Sequence, residues 1–212
     1  MTKHGLALHT STPELGLTIA LLESSDCDQT HDHYLHHAKR TSVWDLGRET
    51  SNLLHTYILE FLTPQTWQEL AWIAIGHGPG GFTGTRLAAV TAKTIGQQLQ
   101  IPVYGISNLA AVAWQQQIED DIAVVMPAQQ GQVYTGVYRT SHRHRTIEVL
   151  EIDRLTTPAV WQEYSDKFSG SKIILESGAK LGSTVDSVWD LAQLKWQRGE
   201  ISTWQNLTPF YG

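Results

Sequence analysis

The sequence predicts an α/β protein in which both halves alternate strands with helices. Three observations carry this. Short runs rich in Leu, Ile and Val alternate with stretches whose apolar residues recur every three or four positions. The apolar run Ala71–Ile75 opens into a loop with five glycines between Gly76 and Gly84, and a helix-like pattern of small residues follows. With 41% hydrophobic and 17% charged residues over 212 positions, the chain can bury a real core.

Taken in order, His4–Thr10 and Gly16–Ser24 read as strands joined by the turn Ser11–Glu14. A polar, histidine-rich stretch, "HDHYLHHAKR", follows. Arg48–Leu62 is the first clear helix: Leu54, Ile58, Phe61 and Leu62 form one stripe, with Leu53 and Tyr57 beside it, and Thr63-Pro64 ends it. Ala71–Ile75 reads as a buried strand, Thr83–Gln100 as a second helix and Ile101–Ser107 as a strand. Ser107 then caps a helix reaching Ile118. "DIAVVMPA", "GQVYTGVYR" and "RTIEVLEI" read as antiparallel strands. A helix with Pro158 in its first turn, the strand "KIILES" and a last helix over Ser183–Glu200 complete the chain. The division falls near Gly105, giving an N-terminal half of residues 1–105 and a smaller C-terminal half of 106–212.

A net charge of −6 argues against a general binder of nucleic acid or anionic membrane. The single cysteine, Cys27, allows neither an internal disulfide nor a thiolate metal cage, which suits a reducing compartment. With no apolar run of membrane-spanning length and no signal-like N-terminus, a cytoplasmic location is expected. The eight tryptophans are scattered and read as packing residues.

The glycine loop resembles a phosphate cradle, and two such motifs overlay it. Gly76, Gly78 and Gly81 fit a dinucleotide-binding G-x-G-x-x-G. That fold needs a ribose-binding acid about 20 residues on, yet Phe82–Ile118 contains no Asp or Glu. Gly76, Gly81 and Thr83 fit a P-loop, but Phe82 stands where its lysine belongs.

The stretch "GHGPGGFTGTRLAAVTAKTIGQQLQIPVYGISNLAAVA" resembles the signature of the TsaB (YeaZ) family. The matching positions are Gly76, Gly78, Pro79, Gly80, Phe82, Thr83, Gly84 and Arg86, then Pro102, Gly105, Ser107 and Leu109. Gly81 replaces a usual serine. Weaker likeness runs through "LALHTSTPELGLTIAL", "RETSNLLHTYILEFL", "VVMPAQQGQVYTGVY" and "LTPFYG". The resemblance implies an actin-like (ASKHA) fold of two RNase H-like domains with mixed sheets flanked by helices. It also implies a non-catalytic subunit for tRNA N6-threonylcarbamoyladenosine formation. Such a subunit binds and activates the catalytic TsaD, helps that pair recruit the ATPase TsaE, dimerises when alone, and contacts tRNA indirectly or weakly.

Two departures from related ATP-binding folds strengthen the non-catalytic expectation. His9 in "HTST" stands at the place of an aspartate, and a neutral imidazole is a poor ligand for a hard cation. Pro127 and Gln129 in "MPAQ" replace an Asp and an Arg. No catalytic residue, cofactor or metal is expected. The helices point to a partner. Gly84, Ala88, Ala92 and Gly96 form a ridge nearly free of side chains, while Leu87, Val90, Thr91 and Ile95 make a second apolar side. The ridge alone reads as packing onto the protein's own sheet. Together with the resemblance, the pattern predicts a partner interface of Leu53, Leu54, Tyr57, Ile58, Leu87 and Val90.

Four further features have plainer readings. His31, His33, His36 and His37 read as a solvated loop or edge strand before the first helix rather than a metal site. Arg139, His142, Arg143, His144 and Arg145 read as a hairpin turn, with RNA contact the alternative. Arg86 suits an ion pair, an anion or a partner equally. Ser107 lacks a G-x-S-x-G elbow and reads as a cap rather than a nucleophile. The rival functions are a nucleotide-binding or hydrolytic enzyme of the same fold, and a homodimeric structural protein outside tRNA modification.

Overall fold

The computed structural model describes residues 3–22, 39–200, 202 and 205. In chain order the elements are β1 (His4–His9), β2 (Glu14–Leu21), β3 (Arg40–Asp45), α1 (Thr50–Leu62), β4 (Leu70–His77), α2 (Phe82–Leu99), β5 (Val103–Ser107) and α3 (Asn108–Gln115), followed by β6 (Asp121–Pro127), β7 (Val133–Ser141), β8 (Thr146–Thr156), α4 (Pro158–Ser165), β9 (Ser171–Ile174) and α5 (Val185–Gln197).

The first sheet has strand order β3-β2-β1-β4-β5, and the second has β8-β7-β6-β9. In the first, β1 pairs antiparallel with β2 and parallel with β4. In the second, β6 pairs antiparallel with β7 and parallel with β9. This is the actin-like arrangement of two RNase H-like mixed sheets flanked by helices that the family signature implied.

The period of two along the strands sorts side chains into layers. From β1 and β4, Leu6, Leu8, Ile73 and Ile75 face outward into a core closed by α1 and α2. Ala7, Trp72 and Ala74 face inward, where they meet α3, α5 and the inner residues Ile122 and Val124 of β6. Ala123 and Val125 face the other way and are covered by Trp161 of α4. The two inner helices are exchanged: α3 packs on β6 and β7, while α5 packs on β1, β2, β4 and β5. Trp189 of α5 fixes this crossing by donating its indole N–H to the Gly5 carbonyl at 2.8 Å.

Several boundaries differ from the sequence expectation. An edge strand before α1 does form over Arg40–Asp45, after the four histidines of the histidine-rich stretch; its residues alternate between half-buried and exposed with no apolar run to mark its bounds. Helix α1 begins at Thr50, since Gly47–Glu49 form a separate 3-10 turn. Helix α3 ends at Gln115, and Gln117 adopts a left-handed φ of 55°. The Ser107 hydroxyl caps α3 by accepting from Ala110 N–H, as its position predicted.

Candidate functional site

A cleft of about 1,030 Å³ lies between the two halves. Its first wall is the turn after β1 and the glycine loop before α2; its second wall is the segment Met126–Gln132, with Tyr134 and Glu176. The turn after β1 and the glycine loop meet in this cleft, so the polar groups of its walls decide what it can do.

The glycine loop is bolted to the turn that follows β1. Gly81 N–H donates to Ser11 O at 2.7 Å. The Thr10 hydroxyl donates to Gly84 O at 2.7 Å. The buried Asn108 amide donates to Ser11 Oγ at 2.8 Å and to Pro79 O at 2.7 Å. The fit leaves no room for side chains: a Cβ on Gly84 would lie 1.8 Å from Thr10 O. Gly78 has a φ of 101°, in the region only glycine adopts freely. These contacts give the glycines a packing role: α2 starts directly against the backbone of the β1 turn. At the position of a P-loop lysine, Phe82 is exposed, with the Arg86 guanidinium over its ring at 4.2 Å. Arg86 thus covers an aromatic face one helical turn back.

Among the described residues the walls are nearly free of charge, Arg48 and Glu176 being the charged side chains that line them. His9, in the place of an aspartate, is fully buried, and among the described residues neither ring nitrogen has a hydrogen-bond partner. Burial pushes its pKa down to about 4, which keeps the imidazole neutral at pH 7. Across the cleft, Pro127 and Gln129 supply no charge. A magnesium-bound nucleotide calls for hard oxygen ligands and cationic clamps, and these side chains offer neither beyond one carboxylate and one guanidinium. Among the described residues, no group of three His, Cys, Asp or Glu side chains is placed to hold a metal ion.

Sequence reasoning missed a part-buried polar network beside the loop. The Ser107 hydroxyl donates to Asp153 Oδ2 at 2.6 Å, and the Tyr138 hydroxyl donates to Asp153 Oδ1. Burial raises the Asp153 carboxyl, while these hydrogen bonds pull it back. Burial also raises the Tyr138 phenol, with the Asp153 charge adding to it. The network ties the end of β5 to the second sheet. Asp153 lies among alternating charged residues that look solvated in sequence. Register shifts between β7 and β8 near Gly136 turn it inward, and no local pattern announces them.

The predicted partner surface divides in two. Leu54 and Ile58 are 0% and 1% exposed and belong to the core beneath α1. Both are therefore corrected from interface to core: the strongest apolar stripe of an amphipathic helix is the one its own sheet claims. Leu53, Tyr57 and Leu87 are half-buried, and Val90 is 62% exposed. Tyr57 meets Trp44 edge-on, with ring centroids 4.9 Å apart. Leu59, absent from the predicted set, is 55% exposed. The small ridge of α2 packs inward, with Ala88, Ala92 and Gly96 buried.

His31, His33, His36 and His37 lie outside the described residues. The hairpin residues His142–Arg145 do join β7 to β8.

A family model described as TsaD, tRNA N6-adenosine threonylcarbamoyltransferase, matches residues 54–173. A Bacillus subtilis (strain 168) protein named tRNA threonylcarbamoyladenosine biosynthesis protein TsaB is 34% identical over 97 residues, covering 45% of this chain and 42% of the relative. A protein of the same name from Buchnera aphidicola subsp. Schizaphis graminum is 38% identical over 76 residues, covering 34% and 36%. The matched stretch thus spans less than half the length of either relative. The Escherichia coli (strain K12) protein of that name is 22% identical over 159 residues, covering 66% of this chain and 69% of its own. The solved structure of YeaZ from Pseudomonas aeruginosa superposes with a TM-score of 0.74 at 21% identity, covering 99% of this chain and 100% of that one, which is a likeness of fold.

Proposed function

The chain belongs to the tRNA N6-adenosine threonylcarbamoyltransferase (TsaD) family and within it to the TsaB (YeaZ) proteins, and from that premise we propose that it serves tRNA threonylcarbamoyladenosine biosynthesis as a non-catalytic subunit. It binds and activates a TsaD-like catalytic subunit, helps that pair recruit a TsaE-like ATPase, and forms a homodimer when alone. Residues 1–105 are the partner-binding half and residues 106–212 the smaller half.

The observation that carries this reading is the state of the cleft. A nucleotide enzyme of this fold needs charge at the strand ends that face the cleft; here β1 ends on a neutral His9 buried behind the lining, and the facing wall supplies the uncharged Pro127 and Gln129. The glycine loop spends its hydrogen bonds on positioning α2. Helices α1 and α2 in turn leave Leu59 and Val90 largely in water, with half-buried Leu87 one turn before Val90 on the same helix face. Exposed apolar side chains of this kind gain by burial against a partner.

Reconstitution of the tRNA modification with and without this chain tests the proposal. The expected result is product formation that depends on its presence. Equal product without it overturns the function. Calorimetry with ATP and Mg²⁺ addresses the rival enzyme reading, which requires a binding heat that the chain alone is expected not to give.

A further inference from the structure

We infer that the β7–β8 hairpin tip, together with the C-terminal end of α5, is a contact surface for the phosphate backbone of RNA. The inference rests on the tRNA pathway proposed above, and it replaces the indirect or weak contact expected from sequence with a direct one at stated residues.

The tip is a built structure. The four residues His142–Arg145 turn the chain between β7 and β8. His142 packs at a tilt against Trp114 of α3, with ring centroids 4.0 Å apart. The Glu119 carboxylate accepts from Arg143 N–H at 2.9 Å, which commits that acid to holding the turn. Arg145 N–H closes the turn on His142 O at 3.2 Å. From α5, the Arg198 guanidinium donates to Arg145 O at 3.3 Å, bringing a third arginine to the tip.

The charges around the tip are unevenly matched. Arg139 is neutralised by Asp121 at 2.7 Å and Glu148 at 3.5 Å, and Lys195 by Glu200 at 3.2 Å. Asp120 accepts from Asp121 N–H and from the Ser171 hydroxyl. Arg143, Arg145 and Arg198 are exposed, and among the described residues no carboxylate pairs with them. Exposed His144 sits between the first two. Two unmatched guanidiniums on the anchored turn and a third brought to it from the end of α5 suit the spaced, singly charged groups of a phosphodiester chain.

Arg145 supplies a second, independent observation. Its φ of 50° lies in the left-handed region, where glycine or asparagine fits without strain. Keeping arginine there sacrifices stability at a position where glycine would be the better turn residue.

The test titrates an unmodified tRNA transcript with the full chain, alone and in complex with the threonylcarbamoyltransferase subunit, at several salt concentrations. The triple variant R143Q/R145Q/R198Q is expected to weaken RNA binding about tenfold or more. It should also flatten the slope of log affinity against log salt by about 2, since each lost phosphate contact removes roughly 0.7–0.9. Arg145→Gly is expected to raise Tm by about 2 °C while weakening RNA binding, a pairing that a merely structural turn residue does not give. Unchanged affinity and slope in the folded triple variant overturn the inference. So does unchanged RNA binding with weakened association of the transferase subunit, which assigns the tip to an acidic protein surface. Absence of RNA binding by the wild-type chain, both alone and in the complex, also overturns it. If the transferase subunit does not associate with the wild-type chain, the proposed function fails instead, and the titration of the chain alone still decides the role of the tip.

Discussion

The first sheet orders its strands β3-β2-β1-β4-β5, and the second repeats the first four places as β8-β7-β6-β9 with the same senses. Equivalent pieces of the two halves have nevertheless been finished differently. After β4 the chain makes a loop whose glycines are pressed against a neighbouring backbone; after β9, Gly178 has nothing within 4 Å of where a Cβ would stand. Helix α1 buries Leu54, Ile58, Phe61 and Leu62, whereas α4 buries only Trp161 and Ser165. The difference teaches that glycines in the same topological place can serve unrelated ends, close packing in one half and a permissive turn in the other.

Substitutions at paired positions can break this contrast. Gly84→Val, facing Thr10 O, is expected to cost about 3 kcal/mol or more, against about 1 kcal/mol for Gly178→Ala, whose penalty comes from its φ of 76° alone. Urea denaturation of both reads the gap, and equal losses would remove the packing argument. Ile58→Ala, in the core under α1, is expected to cost about 3 kcal/mol by the same measurement.

Acid sharpens the comparison at the strand ends. The folded-state pKa of His9 lies below its unfolded value, so the unfolded chain takes up more protons between pH 6.5 and about 4. The stability tied to neutral His9 is complete above pH 6.5 and drains away as pH falls, by about 2 kcal/mol at pH 5. Asp153, whose carboxyl is raised, contributes a slope of opposite sign above its unfolded pKa. Comparing wild type with His9→Leu isolates the histidine: the variant should lose its acid-induced destabilisation, and an unchanged pH profile would refute the assignment.

Asp153→Ala leaves the Tyr138 and Ser107 hydroxyls without their acceptor and is expected to cost about 1–2 kcal/mol in the same titrations. The smallest effect on stability belongs to Leu59→Asp and Val90→Asp, within about 0.5 kcal/mol because both side chains already face water. Co-purification with the catalytic subunit should nonetheless fall at least about tenfold. Intact co-purification in both variants would remove the proposed face.

Much of this architecture could be read from the chain because burial imposes a period on sequence. Alternation sorted Leu6 and Leu8 from Ala7, and the spacing of Leu54, Ile58, Phe61 and Leu62 marked α1. The same strength misled the surface assignment: the most regular apolar stripe went to the internal core, and the face left over, with Leu59, follows no period. The bounds of strand β3 escaped because an edge strand that half-buries Arg40, Ser42 and Trp44 has no apolar signature. Asp153 escaped because a bulge is a property of two paired strands, and a single sequence shows only one at a time. The glycine loop was visible at once, yet its role depends on Thr10 and Ser11, some seventy residues earlier in the chain.

The exchange of α3 and α5 bears on how the chain is made. The inner face of the first sheet is covered by α5, through contacts such as Trp189 to Gly5 that span nearly the whole sequence. A nascent chain that has just emerged past β5 therefore holds a finished set of strands with one greasy side uncovered, and it must wait for residues near 185–197 to leave the ribosome before that side can be shut. Translation speed and chaperone capture over that interval become determinants of yield for this protein, and a fragment ending after β9 is expected to accumulate as aggregate however sound each strand within it is.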